Sequence, residues 1–290
     1  MKKKIDPFPF VCTALITLMA ATCLVPILHV LAVSLSSNTA ASAGVVWLWP
    51  KGFTLTSYAY VLKRVMFWKS MWVSIERVVL GGVINVLMCV LTAYPLSKSR
   101  ERFSMRTPYV WFLFFTTLFS GGLIPWYILI KEFGMLDTIW ALVLPGAVPV
   151  FNVLVMLNFY RAIPQQLEEA ALIDGAGQWK ILMRIYLPAS LPAIATITVF
   201  SLVNHWNNWF DGVILMNRPE NYPMSSYLRI LLFQSDILEV SSSSSQELKE
   251  ISERTLQSAQ MFVGILPILF VYPFLQKYFV KGILLGSVKG

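Results

Sequence analysis

The chain has 290 residues, of which 57% are hydrophobic and only 13% charged, and its formal net charge is +8. Soluble domains carry about 25% charged residues, so this composition excludes an ordinary soluble fold, and lipid must cover part of the apolar surface. The basic residues flank apolar stretches and form no stripe with interleaved aromatics, which points to a membrane face and away from nucleic acid.

Lys2, Lys3 and Lys4 open the chain. Six intervals without Asp, Glu, Lys or Arg follow, at 7–50, 78–97, 107–130, 138–160, 185–210 and 255–276. A bilayer-spanning helix needs about 20 mostly apolar residues, and only a helix satisfies the backbone polar groups of one segment in lipid. The intervals therefore predict an all-α integral membrane protein with six transmembrane helices. A short segment 1–9 precedes a first helix at 10–35, and 36–70 forms an external loop. The core, 71–276, holds spans at about 75–97, 108–130, 139–160, 188–210 and 257–276. Within it 161–188 is a cytoplasmic loop and 211–254 an external one, and 277–290 is a tail.

Basic residues in short loops orient the bundle. Lys98, Arg100, Arg102 and Arg106 lie between the second and third spans, and Arg161, Lys180 and Arg184 between the fourth and fifth. Lys277, Lys281 and Lys289 follow the sixth. Both termini of a multi-pass membrane protein are therefore expected in the cytoplasm. The segment from Lys51 to Lys69 runs against the rule, being basic without acidic residues, but long loops count less. The basic start and Ala41-Ser42-Ala43 imitate a signal peptide; the apolar run exceeds the usual h-region of about 7–15 residues, so an uncleaved helix is the better reading.

Residues 169–188 read EAALIDGAGQWKILMRIYLP. Pro164 suits a first helical turn, where its missing N–H costs nothing. Leu167, Ala170, Ala171 and Asp174 follow at helical spacing on one side. The two alanines leave that face flat enough for a partner backbone to approach. Gly175 can take the left-handed conformation that ends a helix. Leu187-Pro188 starts the next span. A plain helix–turn–helix connector would look similar in any three of these features.

The full pattern, Glu169-Ala170-Ala171, Gly175, Ile185 and Leu187-Pro188 at fixed spacing, resembles the cytoplasmic loop of bacterial ATP-binding-cassette importer permeases. The wider chain resembles the carbohydrate-uptake branch, that of the maltose-permease G subunit and the lipoprotein-C-like permeases. The stretches that carry this likeness are 91–98, 119–125, 138–145, 169–188, 205–210 and 278–282 in order. The resemblance implies the type I importer permease fold in the inner membrane of a bacterial cell. It implies that Pro164 to about Gly175 docks on an ATPase, with Glu169 reaching a basic or polar group there. It further implies a sister permease, two ATP-binding-cassette ATPase subunits, an external solute-binding protein and an oligosaccharide cargo. The chain itself has no phosphate-loop motif, so it binds no cofactor; ATP and Mg belong to the partner subunits, and this subunit is not an enzyme.

The candidate sugar path is His205, Trp206, Asn207, Asn208 and Trp209, ending at Phe210. Aromatic faces stack on sugar rings, and amides bond hydroxyls in both directions. An aromatic belt at the membrane surface explains the same residues. Asn85, Asn152 and Asn158 either line a cavity or bridge helices. Glu76 and Arg77 read as an interfacial pair at the start of the second span. Gly81-Gly82 and Gly121-Gly122 sit inside spans, where glycine permits close packing. His29 and Pro26 read as helix-packing residues. The loop 211–254, with a linker-like run at Ser241–Ser245, is expected to face the binding protein or to be plain solvated loop. Cys12, Cys23 and Cys89 lie in apolar stretches at spacings that fit no metal pattern, and their odd number argues against a disulfide framework. The basic 51–69 loop fits an acidic sugar or the acidic rim of a binding protein. The loop pattern alone leaves a non-sugar importer open, and a channel or scaffold without ATPase is the remaining alternative.

Overall fold

The computed structural model describes residues 7–238 and 253–287, and every regular element among them is helical. Lys2–Lys4, Ser241–Ser245 and Lys289 lie outside the described residues. In chain order the helices are α1 (Pro7–Ser34), α2 (Asn38–Ser42), α3 (Thr56–Lys63), α4 (Val65–Ser97), α5 (Arg106–Leu118), α6 (Leu123–Glu132), α7 (Ile139–Val143) and α8 (Val150–Ala162). They continue as α9 (Gln165–Ile173), α10 (Gln178–Ile181), α11 (Leu187–Ala189), α12 (Leu191–Asn207), α13 (Phe210–Leu215), α14 (Met224–Leu238) and α15 (Glu253–Ser287).

Three segments are continuous helices long and apolar enough to cross a membrane: Phe8–Ser34, Val65–Ser97 and Glu253–Val271. Three of the uncharged intervals are not straight spans. Each is a bent pair of helices, and each break has a local cause. α5 and α6 meet at 115°. Gly121 and Gly122 sit in this break and not inside a span, and Gly122 takes φ 86°, open to glycine at no steric cost. The segment Ile139–Gly146 meets Val150–Ala162 at 48°, across Pro149. Gln178–Ala189 meets Leu191–Asn207 at 80°. There Pro188 lacks an N–H and its ring opposes the carbonyl four residues back. The chain answers with a π-helical turn at Leu182–Tyr186, in which the Leu187 N–H donates to the Leu182 carbonyl.

The chain divides into two compact units. In Met1–Trp68 with Leu228–Pro267, α1 exposes Phe10, Leu15, Met19 and Leu24, an apolar surface that water would not tolerate. His29 bonds the Trp47 carbonyl through Nδ1 at 2.8 Å, so it ties helix to loop. Ser57 donates to Thr255 at 3.0 Å.

In Lys69–Tyr227 with Ile268–Gly290, one core joins α4, α8, the π turn and α12 through Cys89, Tyr94, Met156, Tyr160, Tyr186 and Ile197. A second cluster packs Ile130, Ala141, Leu142, Leu215 and Met216. α4 and α12 approach through the paired glycines: a Cβ on Gly81 would run into the His205 ring, and one on Gly82 would lie 2.9 Å from Leu202 Cδ2. His205 Nε2 is 3.1 Å from Asn85 Oδ1, so the ring cannot swing aside without losing that bond. Gly81→Ala should therefore cost about 1–3 kcal/mol, as overpacking does. A lowered thermal midpoint in detergent is expected, and an unchanged midpoint would contradict the close approach.

Candidate coupling site

The loop after α8 turns on a short helix. Pro164 caps α9 from outside the helix, with an extended ψ of 130°, and the helix begins at Gln165. At the other end the Ala176 N–H donates to the Ala171 carbonyl and the Gly175 N–H to that of Leu172. This is a Schellman closure, and it needs the left-handed φ of 73° that Gly175 supplies. The two alanines do not share one face. Ala170 is exposed, whereas Ala171 packs against the core with Ile185 and Leu187. A 100° step per residue separates neighbours on a helix, so one of the pair had to turn inward. The outward surface consists of Leu167, Glu169, Ala170, Ile173 and Asp174, and Ile173 is 87% exposed. Trp179 and Met183 beyond the turn are exposed too, and so is Pro188.

Glu168, which the sequence reading passed over for Glu169, is the buried member of the pair. Its Oε2 accepts from Lys98 Nζ at 2.8 Å and from the Tyr186 hydroxyl at 2.6 Å. Arg102 Nη1 lies 2.9 Å from Oε1, and Arg102 Nη2 lies 3.5 Å from Glu169 Oε1. One carboxylate thus ties α9 to the residue after α4, to the loop behind it and to the π turn. Three tyrosines wall the site. The Tyr94 and Tyr186 rings meet edge-on at 5.1 Å, and those of Tyr160 and Tyr186 at 5.3 Å. Lys98 Nζ sits 4.0 and 4.1 Å from the Tyr94 and Tyr186 ring centres. The Tyr94 hydroxyl donates to Gln178 Oε1 at 2.7 Å, which adds α10 to the same knot.

Burial works against charge on both partners. On Glu168 it is outweighed by the bonds from Lys98 and Tyr186 and the charges of Lys98 and Arg102, which hold the carboxyl below the ordinary range. On Lys98 burial prevails, with Arg102 adding to it, over the pull of Glu168, and the pKa falls below that of a free lysine. The two ring faces favour the cation, so the pair stands as an ion pair at neutral pH. The buried Tyr186 hydroxyl is the second donor to this carboxylate. Glu168 lies three residues before Ala171, and this spacing marks the core-facing side of the helix only once Ala171 is found packed against the core.

The proposed path residues are more internally paired than their types suggest. His205 is buried against Gly81 and Asn85. Asn152 donates to Ser201 at 3.2 Å and so bridges α8 to α12. Asn208 ends α12 and donates to Asp211 Oδ2 at 2.7 Å. Trp206 is half-buried and Asn207 exposed. Trp209 and Phe210 are 38% and 41% exposed and meet edge-on at 5.8 Å. Arg77 does not pair with Glu76 at an interface. It is buried, donating to Asp211 Oδ2 and to the Asn208 carbonyl, each at 2.8 Å, and so fastens α4 to the break after α12. A buried guanidinium needs a carboxylate, and the one in reach lies far along the chain.

Glu168→Ala would leave Lys98 buried without its counterion, a loss of about 3–5 kcal/mol, whereas Glu169→Ala, at a solvated site, should stay within about 0.5 kcal/mol. Thermal unfolding of the two variants checks this ordering. Because the folded pKa of Glu168 lies below its unfolded value of about 4.3, its contribution is complete above that pH and is lost as pH falls through the folded value. The Glu168→Gln variant should lack this acid-side loss.

The family described as "Binding-protein-dependent transport system inner membrane component" matches residues 102–285, a stretch that contains α9, the Gly175 turn and the π turn. The chain is 38% identical over 278 residues to the polygalacturonan/rhamnogalacturonan transport system permease protein YtcP of Bacillus subtilis (strain 168), covering 94% of this chain and 95% of that one. It is also 38% identical over 272 residues to protein LplC of the same organism, covering 94% of this chain and 91% of that one. Among solved structures, a chain from a bacterial ABC transporter involved in the import of the acidic polysaccharide alginate superposes with a TM-score of 0.84 at 30% identity, over 96% of this chain and 99% of its own. With its helical architecture and a match across most of its length, the chain belongs to the family of inner membrane components of binding-protein-dependent transport systems.

Proposed function

We propose that this chain is a permease subunit of an ATP-driven importer and forms half of the translocation path for an oligosaccharide. The observation that carries the proposal is α9: an exposed surface of Leu167, Ala170 and Ile173 on a helix whose other side is locked into the core by Glu168. Such a helix can be pushed by a partner without being crushed, because its inner face has nowhere to yield. In this reading α9 docks on an ATP-binding-cassette ATPase, with Glu169 facing a basic or polar group there. ATP and Mg bind that partner. Closure of an ATPase dimer moves α9, and Glu168 carries the displacement to the end of α4 and, through Tyr186, to α12. In this reading the chain has six spans, three of them bent, and the basic residues of its short loops favour both termini in the cytoplasm. A sister permease supplies the other half of the path, and a solute-binding protein delivers cargo from outside.

A uronic-acid oligosaccharide is the cargo this reading favours. The relatives named for polygalacturonan/rhamnogalacturonan and for alginate handle polyanionic sugars. The outer segment carries Lys51, Lys63, Arg64 and Lys69 without an acidic residue, a field suited to such a chain.

The test is reconstitution of the whole complex in proteoliposomes with its binding protein. ATPase stimulation and uptake should follow oligogalacturonate and not a neutral maltooligosaccharide of equal length; stimulation by the neutral sugar alone would remove the uronic-acid reading. Gly175→Pro, or Glu169→Lys with Ala170→Arg, should leave the chain in the membrane and lower stimulation and uptake at least about tenfold, since proline cannot adopt a positive φ and a long cation prevents close docking. Full activity in both variants would overturn the coupling role.

A further inference from the structure

Beside the Glu168 knot lies a cavity of about 480 Å³, lined by the start of α5, the end of α8 and the segment after α4. Four cations face it: Lys98, Arg102, Arg106 and Arg161. Lys98 and Arg102 are matched by Glu168 and Glu169. Arg106 and Arg161 make no ion pair among the described residues. The remaining carboxylate, Glu101, lies exposed in the same wall and is likewise unpaired among them. Arg106 and Arg161 line the same cavity, so two like charges share one space.

A second observation is independent of these charges. The Tyr160 side chain is buried and lines the cavity, yet its hydroxyl has no hydrogen-bond partner. α5 begins at Arg106 without a capping side chain, so the positive end of its dipole adds to the field. Two guanidinium forks and a phenolic O–H offer donors to a ligand that only accepts. A tetrahedral oxyanion meets that description, and guanidinium forks match phosphate oxygens in pairs.

We propose that this cavity is a phosphate-binding site, held by Arg106 and Arg161 with the Tyr160 hydroxyl as third donor. The phosphate has two sources, the headgroup of an anionic phospholipid or free phosphate in solution. The lipid source rests on the proposed placement of this end of the bundle at the cytoplasmic membrane face; the phosphate site itself does not.

The experiment is native mass spectrometry of the purified full-length chain in neutral detergent. It is offered phosphatidylglycerol, phosphatidylcholine of the same acyl composition, or inorganic phosphate. Retention of phosphatidylglycerol over phosphatidylcholine is expected, weakened at least about tenfold in Arg106→Gln/Arg161→Gln and less in Tyr160→Phe. Arg-dependent binding of inorganic phosphate without lipid preference would assign the soluble source and keep the site. Binding of neither probe, or binding that the variants leave unchanged, would overturn it. The variants lose no ion pair seen among the described residues, and Tyr160→Phe retains the ring contacts; matched thermal midpoints establish that each is folded. No ATPase or cargo enters the measurement, so its failure would leave the importer reading intact.

Discussion

Taking the Glu168 carboxylate out of water costs several kcal/mol, and only charged and hydrogen-bonding partners make the burial tolerable. Lys98 and Tyr186 donate to Oε2, and Arg102 stands 2.9 Å from Oε1 as a countercharge; they come from two stretches of chain, the segment after α4 and the π turn. Each partner is immobilised in turn: Lys98 between two ring faces, Tyr186 by edge contacts with two other tyrosines. The consequence is geometric. α9 cannot shift relative to the end of α4 without separating charges at low dielectric, where they attract strongly, or relative to the π turn without breaking the Tyr186 hydrogen bond. A loop that would otherwise be a floppy connector becomes a rigid handle. Its exposed apolar surface is then available to a partner because the inner face is fully occupied.

The π turn belongs to the same mechanical chain. Pro188 forces a widened turn, and that turn places Tyr186 over Glu168 while Ile181 and Leu182 fill the core. A regular helix through Pro188 would rotate the residues before it by a fraction of a turn and carry the Tyr186 hydroxyl off its carboxylate. The two prolines at 188 and 192 and the 80° bend therefore do more than interrupt a span. Under the importer reading they would set the direction in which displacement of α9 reaches α12.

Much of this was legible in the sequence, and the exceptions share one cause. Uncharged intervals and the pattern from Glu169 to Pro188 are local, and their physical meaning follows from spacing alone. Gly175 is an instance: a helix stop reads off a glycine in the right place, and the left-handed φ is what such a stop requires. The bends in three of the intervals were harder to read, because lipid-facing apolar composition is the same whether a segment is straight or broken. Gly121-Gly122 reads as a close-packing pair inside a span for that reason and lies at a break instead, whereas Gly81-Gly82 lies against another helix. Least legible were pairings between distant positions. Arg77 meets Asp211 across 134 residues and Lys98 meets Glu168 across 70, and no local rule joins them. Choosing between Glu168 and Glu169 needed the direction of one helix face, which becomes known once Ala171 is seen to point inward.

The same distinction between local type and distant pairing bears on the path. His205, Asn152 and Asn208 are residues that recognise sugars elsewhere, yet each already has a protein partner here. A group committed to a buried internal bond must break that bond to hold cargo, and the exchange gains little. These side chains therefore hold α4, α8 and α12 together, and under the importer reading they would act on transport only by shaping the walls. Trp209 and Phe210 are 38% and 41% exposed, and under the importer reading their rings could contact a passing sugar by stacking. Under the importer reading this is a workable division. A carrier that must release its cargo in every cycle needs shallow, sequential contacts, and the external binding protein can supply the tight and selective ones.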